Sequence, residues 1–236
     1  MKSIIFTFKP SEKIVLPFAH FEMLQGLFYK IISHNNELST SIHNSKNIKL
    51  LCFSDLIGRY SIEDSNIVYK ELMQWEVRCV DDSIIDTISE IIFSKSNYEL
   101  NHCPFKIVNI KLNSITFGGH ICFRVKTPIV TNKTYDGFRH YYSPNDNEFY
   151  EIIKNNLKKK YEAVFNAEYN DRLEIKCTNE NSIKKCVTRF KGNYITGWYG
   201  EFEINAKPDM INIAYYSGIG SNNSIGFGFI GDIISK

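Results

Sequence analysis

The order of elements legible in this chain predicts an α+β protein made of two similar halves. Three observations carry the prediction. The length, 236 residues, suits one large domain or two small ones of about 110–120 residues each. Before Gly118-Gly119 the pattern reads strand, helix, strands, helix, strand. After it the same order begins again, with a reduced second helix. That order is the split βαβ, or ferredoxin-like, arrangement. The expected architecture is two tandem ferredoxin-like domains, 1–118 and 119–236, with a cleft between them. The repeat is one of element order; no repeat of sequence is visible.

In the first half, residues 3–8 are β-rich and suit a buried strand. Pro17 is expected to open a helix, because Phe18, Phe21, Leu24, Leu27, Phe28, Ile31 and Ile32 recur at spacings of three and four. Glu37 to Ile42 suits a second short helix, ending at His43-Asn44. Leu50 to Phe53, Ile67 to Tyr69 and Trp75 to Val77 read as separate strands. Asp81-Asp82 place acidic residues at the start of a helix whose stripe is Ile84, Ile85, Ile88, Ile91 and Ile92. Phe105 to Leu112 closes this half as a strand.

In the second half, Ile121 to Val125 is a strand that Pro128 ends. Ser143-Pro144 is expected to start a helix with Pro at its first position, and Asp146 completes a start like a capping box. Phe149, Ile152, Ile153, Leu157, Tyr161 and Val164 would face its core. Leu173 to Ile175, Ile183 to Phe190 and Tyr199 to Ile204 are strands. Met210 to Tyr216 suits a short helix, and Ile225 to Ile234 the last strand.

An apolar fraction of 43% supports real cores, and the net charge of +2 excludes a bulk polycation. The six cysteines are scattered with no Cys-x-x-Cys pair, which argues against a zinc site and suits buried thiols in a reducing cytosol. No apolar run approaches the roughly 18 residues needed to cross a membrane, and Met1 to Phe6 reads as a strand rather than a signal peptide. A cytoplasmic protein is expected. Charge does cluster locally: between Lys154 and Lys191 there are ten Lys or Arg and five Asp or Glu. Lys158-Lys159-Lys160 reads as an ordinary solvated helix face. Lys184, Lys185, Arg189 and Lys191 lie on or beside a strand next to Phe190 and Tyr194. Cations neutralise phosphates and rings stack on bases, so this mixture suits a single-stranded or hairpin nucleic acid. It equally suits an edge strand kept soluble by lysine.

Near the C-terminus, Gly218, Gly220, Gly226 and Gly228 alternate with small polar residues, Ser221 and Asn222 among them. Such a loop can form an anion-binding hollow, or simply turn the chain. Asn223 stands where a dinucleotide fingerprint needs its third glycine, and no Gly-Lys-Ser/Thr follows, so two familiar nucleotide loops are excluded.

Of the six histidines, His20, His34, His102, His120 and His140 have no evident chemical partner in sequence and read as surface or packing residues. His43 differs, because Lys49 follows six residues later and Tyr29 lies one helix earlier. An imidazole that titrates near neutrality, a lysine and a phenol converging on one phosphodiester suffice for RNA cleavage without a metal. Tyr29 could equally be a half-buried helix residue.

Leu16-Pro17, Leu24-Gln25-Gly26-Leu27-Phe28-Tyr29, Ile42-His43, Lys49 and Phe53-Ser54-Asp55-Leu56 resemble the N-terminal signature of the CRISPR repeat-processing endoribonucleases. The glycine-rich tail resembles the same family's C-terminal loop. Two motifs at opposite ends carry the resemblance; the middle fits by element order and length. It implies two ferredoxin-like, RNA-recognition-like domains and a cofactor-free, metal-independent cut within a CRISPR repeat RNA. The 2′-hydroxyl would attack the adjacent phosphorus, leaving a 2′,3′-cyclic phosphate and a 5′-hydroxyl. His43 would be general acid, Tyr29 would orient or deprotonate the 2′-hydroxyl, and Lys49 would stabilise the transition state. His43 as base is the other assignment, since a phenol is a poor base at pH 7. Lys184, Lys185, Arg189, Lys191 and the loop residues Gly218, Gly220, Ser221, Asn222, Gly226 and Gly228 would hold the RNA. Ala19 and Cys52 depart from the pattern without touching the chemistry. The rival expectation is a non-catalytic RNA-binding subunit of a guide-RNA complex; homodimerisation and membership of an effector complex stay open.

Overall fold

Two antiparallel sheets, each backed by two helices, make up the computed structural model, which describes residues 1–36, 40, 48–94 and 97–234. The first half contains β1 (Lys2–Pro10), β2 (Ile14–Pro17), α1 (Phe21–Ile32), β3 (Leu51–Phe53), β4 (Ile57–Glu63), β5 (Asn66–Cys79), α2 (Asp82–Ser94), β6 (Asn97–Leu100) and β7 (Cys103–Asn113). Its sheet runs β2-β5-β1-β7-β6, with β3 and β4 also paired to β5. The second half contains β8 (His120–Val125), β9 (Asn132–Tyr135), β10 (Phe138–Tyr141), α3 (Asn147–Phe165), β11 (Leu173–Phe190), β12 (Asn193–Ala206), α4 (Pro208–Ser217) and β13 (Ile230–Ile233). Its main sheet is β11-β12-β8-β13, and β9-β10 is a separate hairpin. In each half the first strand lies at the centre between the third and fourth of a βαββαβ unit. This is the ferredoxin-like order, repeated in tandem as the sequence predicts.

Alternation decides which face is buried. Ile4, Phe6 and Phe8 on β1 are fully buried, and β1 sits between β5 and β7. In β8, Ile121, Phe123 and Val125 enter the second core while His120 and Arg124 stay exposed. On α2 the predicted stripe holds, with Ile85, Ile88, Ile91 and Ile92 buried.

Several expectations need correction. Pro17 ends β2, which pairs with β5, and α1 begins only at Phe21. Phe18 is 54% exposed, so it is no part of the helix's core face. The two short strands at 67–69 and 75–77 are one strand of 14 residues, β5. α3 begins at Asn147, with Ser143 to Asp146 forming a turn in which the Asp146 carboxylate accepts from the Ser143 N–H (2.7 Å) and hydroxyl (2.9 Å). Pro144 therefore sits in that turn rather than at the first helical position. Hairpin β9-β10 was not anticipated, although Asp136-Gly137, both at positive φ, is the turn pair that a tight hairpin requires. The expected helix from Glu37 to Ile42 falls mostly on residues outside those described. No helix among the described residues is long and apolar enough to cross a membrane.

Candidate functional site

α1 carries Leu24, Leu27, Phe28, Ile31 and Ile32 into the first core, which turns Tyr29 to the edge of the buried face. Its ring meets Phe28 edge-on at 5.7 Å. Lys49, just before β3, reaches back across the helix. Its Nζ donates to Tyr29 Oη at 2.8 Å and lies 5.5 Å from the ring centroid. Two of the three residues proposed for chemistry thus meet, twenty positions apart in sequence. His43, the third, lies outside the described residues.

The glycine-rich segment closes the same neighbourhood. Its short 3₁₀ turn, Asn223–Ile225, packs against α1 and β3. Phe227 enters the first core and sits 5.0 Å from Phe21, while Ile219 and Ile230 belong to the second core. The glycines serve close packing. A Cβ on Gly226 would lie 2.6 Å from Phe21 Cδ1 and 2.7 Å from Phe53 Cε2, at a φ of +97°. Gly218, Gly220, Gly226 and Gly228 are buried, and the amides of Ile219, Ser221, Gly226, Phe227 and Gly228 bond to backbone carbonyls. What the segment presents outward is half-exposed Ser221, Asn222 and Ser224.

The loop is held from α3 by Lys160. Contrary to its expected place on a solvated face, Lys160 is 1% exposed. Its Nζ donates to Ser217 O (3.0 Å), Gly218 O (2.8 Å) and Asn223 Oδ1 (2.7 Å). Three neutral oxygens match the three donors of an ammonium. Burial pushes its pKa down to about 7. Asn223 completes the hub by donating through Nδ2 to Ile219 O and Phe227 O.

Arg78 on β5 joins the halves from the other side. It is 3% exposed and donates to Ile230 O (2.7 Å) and Glu76 (2.7 Å). Its guanidinium lies 3.6 Å from the Tyr215 ring centroid and 3.8 Å from that of Phe229. Nothing in its sequence setting marked it.

Lys184, Lys185, Arg189 and Lys191 are all exposed. Strand alternation splits them, with Lys185 and Arg189 on one face of β11 and Lys184 on the other beside Cys186 and Phe190. Phe190 packs against the first core, and the Lys191 N–H donates to Glu22 on α1 at 3.0 Å. The basic ribbon therefore ends against the helix that carries Tyr29. Arg189 lies 5.5 Å from the Tyr194 ring centroid.

Of the remaining histidines, His34, His102 and His140 are exposed. His20 corrects its expected lack of a partner: it is 2% exposed, with Nε2 2.6 Å from Asp55 Oδ1 and Nδ1 3.0 Å from Pro17 O. Burial lowers its pKa, but the hydrogen bond and charge of Asp55, with the Pro17 and Phe18 carbonyls, outweigh that and raise it. With both ring nitrogens engaged and the ring enclosed, His20 fixes the Leu16-Pro17 and Asp55 segments together and offers a substrate nothing.

The tandem ferredoxin-like fold thus brings the C-terminal glycine segment against the N-terminal core, near the Lys49–Tyr29 pair. A family model described as CRISPR associated protein Cas6, C-terminal, matches residues 111–231. The chain is 28% identical over 225 residues to the CRISPR-associated endoribonuclease Cas6 of Pyrococcus furiosus, covering 91% of this chain and 83% of that one. It is 25% identical over 235 residues to the CRISPR-associated endoribonuclease Cas6 1 of Methanocaldococcus jannaschii, covering 94% and 89%. A solved CRISPR associated protein Cas6 superposes with a TM-score of 0.84 at 24% identity, covering 99% of both chains. The chain belongs to the Cas6 family.

Proposed function

We propose that this chain is a metal-independent endoribonuclease that cuts CRISPR precursor transcripts within the repeat. The observation that carries the reading is the 2.8 Å contact from Lys49 Nζ to Tyr29 Oη at the edge of the first core. The two endoribonuclease relatives support the substrate class. Because Lys49 donates to the phenolic oxygen, the Tyr29 O–H can itself donate, to a phosphate or a 2′-oxygen. A neutral phenol is a weak base at pH 7, so orientation is the role this geometry favours for Tyr29. Lys49 would stabilise the extra negative charge on phosphorus. His43, six residues before Lys49, would protonate the departing 5′-oxygen while the 2′-oxygen attacks. The products are a 2′,3′-cyclic phosphate and a 5′-hydroxyl.

We take 1–118 and 119–236 as the two units, with repeat RNA lying along their junction. Ser221 and Asn222 would meet it on one side, and Lys184, Lys185, Arg189 and Lys191 on the other. In a cleavage assay with a repeat RNA from its own genome, His43→Ala should lose cutting by at least about 100-fold, the lower end of a general acid's contribution, while RNA affinity stays unchanged. Cutting by His43→Ala at the wild-type rate would remove His43 from the mechanism. Tight binding without cutting by the wild type would make the chain a repeat-binding subunit.

A further inference from the structure

The lack of a Cys-x-x-Cys pair argues against a zinc site, but strand pairing assembles donors that spacing along the chain does not show. His120 and Cys122 stand two apart on β8, on the face opposite Ile121 and Phe123. Glu203 on β12 pairs directly with Cys122. His120 Nε2 and Cys122 Sγ are 3.7 Å apart, Cys122 Sγ and Glu203 Oε2 are 3.7 Å apart, and His120 Nε2 and Glu203 Oε2 are 3.7 Å apart.

We propose that His120, Cys122 and Glu203 bind one zinc-class divalent cation, which clamps β8 to β12. A point equidistant from three atoms at these separations lies about 2.1 Å from each, the edge divided by √3, against bond lengths of about 2.0–2.3 Å for zinc to nitrogen, oxygen and sulfur. Seating the ion slightly above that plane, in a tetrahedral corner, needs the edges to contract by only a few tenths of an ångström. The donor set selects the metal. One thiolate, one imidazole and one carboxylate suit zinc, whereas magnesium and calcium need shells made mostly of oxygen. Lys176 Nζ sits 2.8 Å from Glu203 Oε1, so it orients the carboxylate through the oxygen that the ion does not use. His120 is exposed, which turns the fourth corner toward solvent. The site shares no residue with the Tyr29–Lys49 pair, so its role is to fix the centre of the second sheet.

The test titrates zinc chloride into the reduced, EDTA-stripped full chain by calorimetry, and cobalt chloride by absorbance. One ion per chain and a thiolate-to-cobalt charge-transfer band are expected. His120→Gln and Cys122→Ser should each weaken binding by at least about tenfold, no less than the loss of an outer-shell partner causes. Cys186→Ser, which alters another thiol, should bind as the wild type does. His120→Gln is an exposed substitution, and circular dichroism checks that it folds. No stoichiometric binding by the folded wild type, wild-type affinity in His120→Gln, or loss of the cobalt band in Cys186→Ser would each overturn the site.

Discussion

Lys160 shows how one residue can govern a functional segment. Its three acceptors come from the end of α4, from the glycine loop and from Asn223, so a single ammonium sets where the loop begins and how it turns. Lys160→Met keeps the stem and removes the donors, leaving buried oxygens unpaired. The expected cost is about 1–3 kcal/mol in urea unfolding, and the same variant should cut RNA more slowly because the loop packs on the helix of Tyr29. The sequence holds the clue: Phe149, Ile153, Leu157 and Lys160 follow helical spacing, which puts Lys160 on the buried face. Reading Lys158-Lys159-Lys160 as one charged run hid it. His20 was missed for a different reason, since its partner Asp55 lies 35 residues away. The His20–Asp55 bond predicts a pH dependence. Because the folded-state pKa is raised, the bond contributes stability fully below the unfolded value of about 6.5 and loses it as pH rises through the folded value. The stability difference between wild type and Asp55→Asn, followed by denaturant unfolding against pH, should be largest below about pH 6 and shrink as pH rises. A difference constant across that range would contradict the assignment.

Among the elements that meet both halves are β11, the glycine segment and α4, which packs on β3 and β5. β11 ends in the turn that docks on α1 through Glu22, and it presents Lys185 and Arg189 on one exposed face. Reversing both charges should weaken repeat RNA binding and flatten its dependence on salt, measured as the slope of log affinity against log salt, by about two phosphate contacts. An unchanged slope would take that face out of the RNA path. Amphipathic elements were legible where one period ran unbroken, as in α2. Strands fared worse. β5 was split because Lys70, Glu71 and Gln74 interrupt its apolar residues, and Lys70 to Leu72, exposed in succession, leave the strand open on both faces there. β2 was missed because Pro17 and Phe18 read as the start of a helix, although Pro17 closes a strand there.

For the whole molecule, the tandem βαββαβ order could be read from sequence, because element order is a local signal. The joint between the halves could not. Arg78 stacks between Tyr215 and Phe229, residues of the other half more than 130 positions on, and Phe227 leaves its own half to fill the first core. Such contacts depend on how the sheets are placed, which no window of sequence contains. The joint fixes the glycine segment against the helix of Tyr29, so the two come together only in the assembled pair of lobes. Metal-independent 2′-hydroxyl attack is tested most directly by single-turnover cleavage of the chain's own repeat RNA in excess EDTA, with the new 3′ end analysed by mass. One cut ending in a 2′,3′-cyclic phosphate is expected, abolished when the nucleotide at the cut carries 2′-deoxyribose. A cut that stops in EDTA and returns with magnesium, or one that survives the 2′-deoxy substitution, would contradict it.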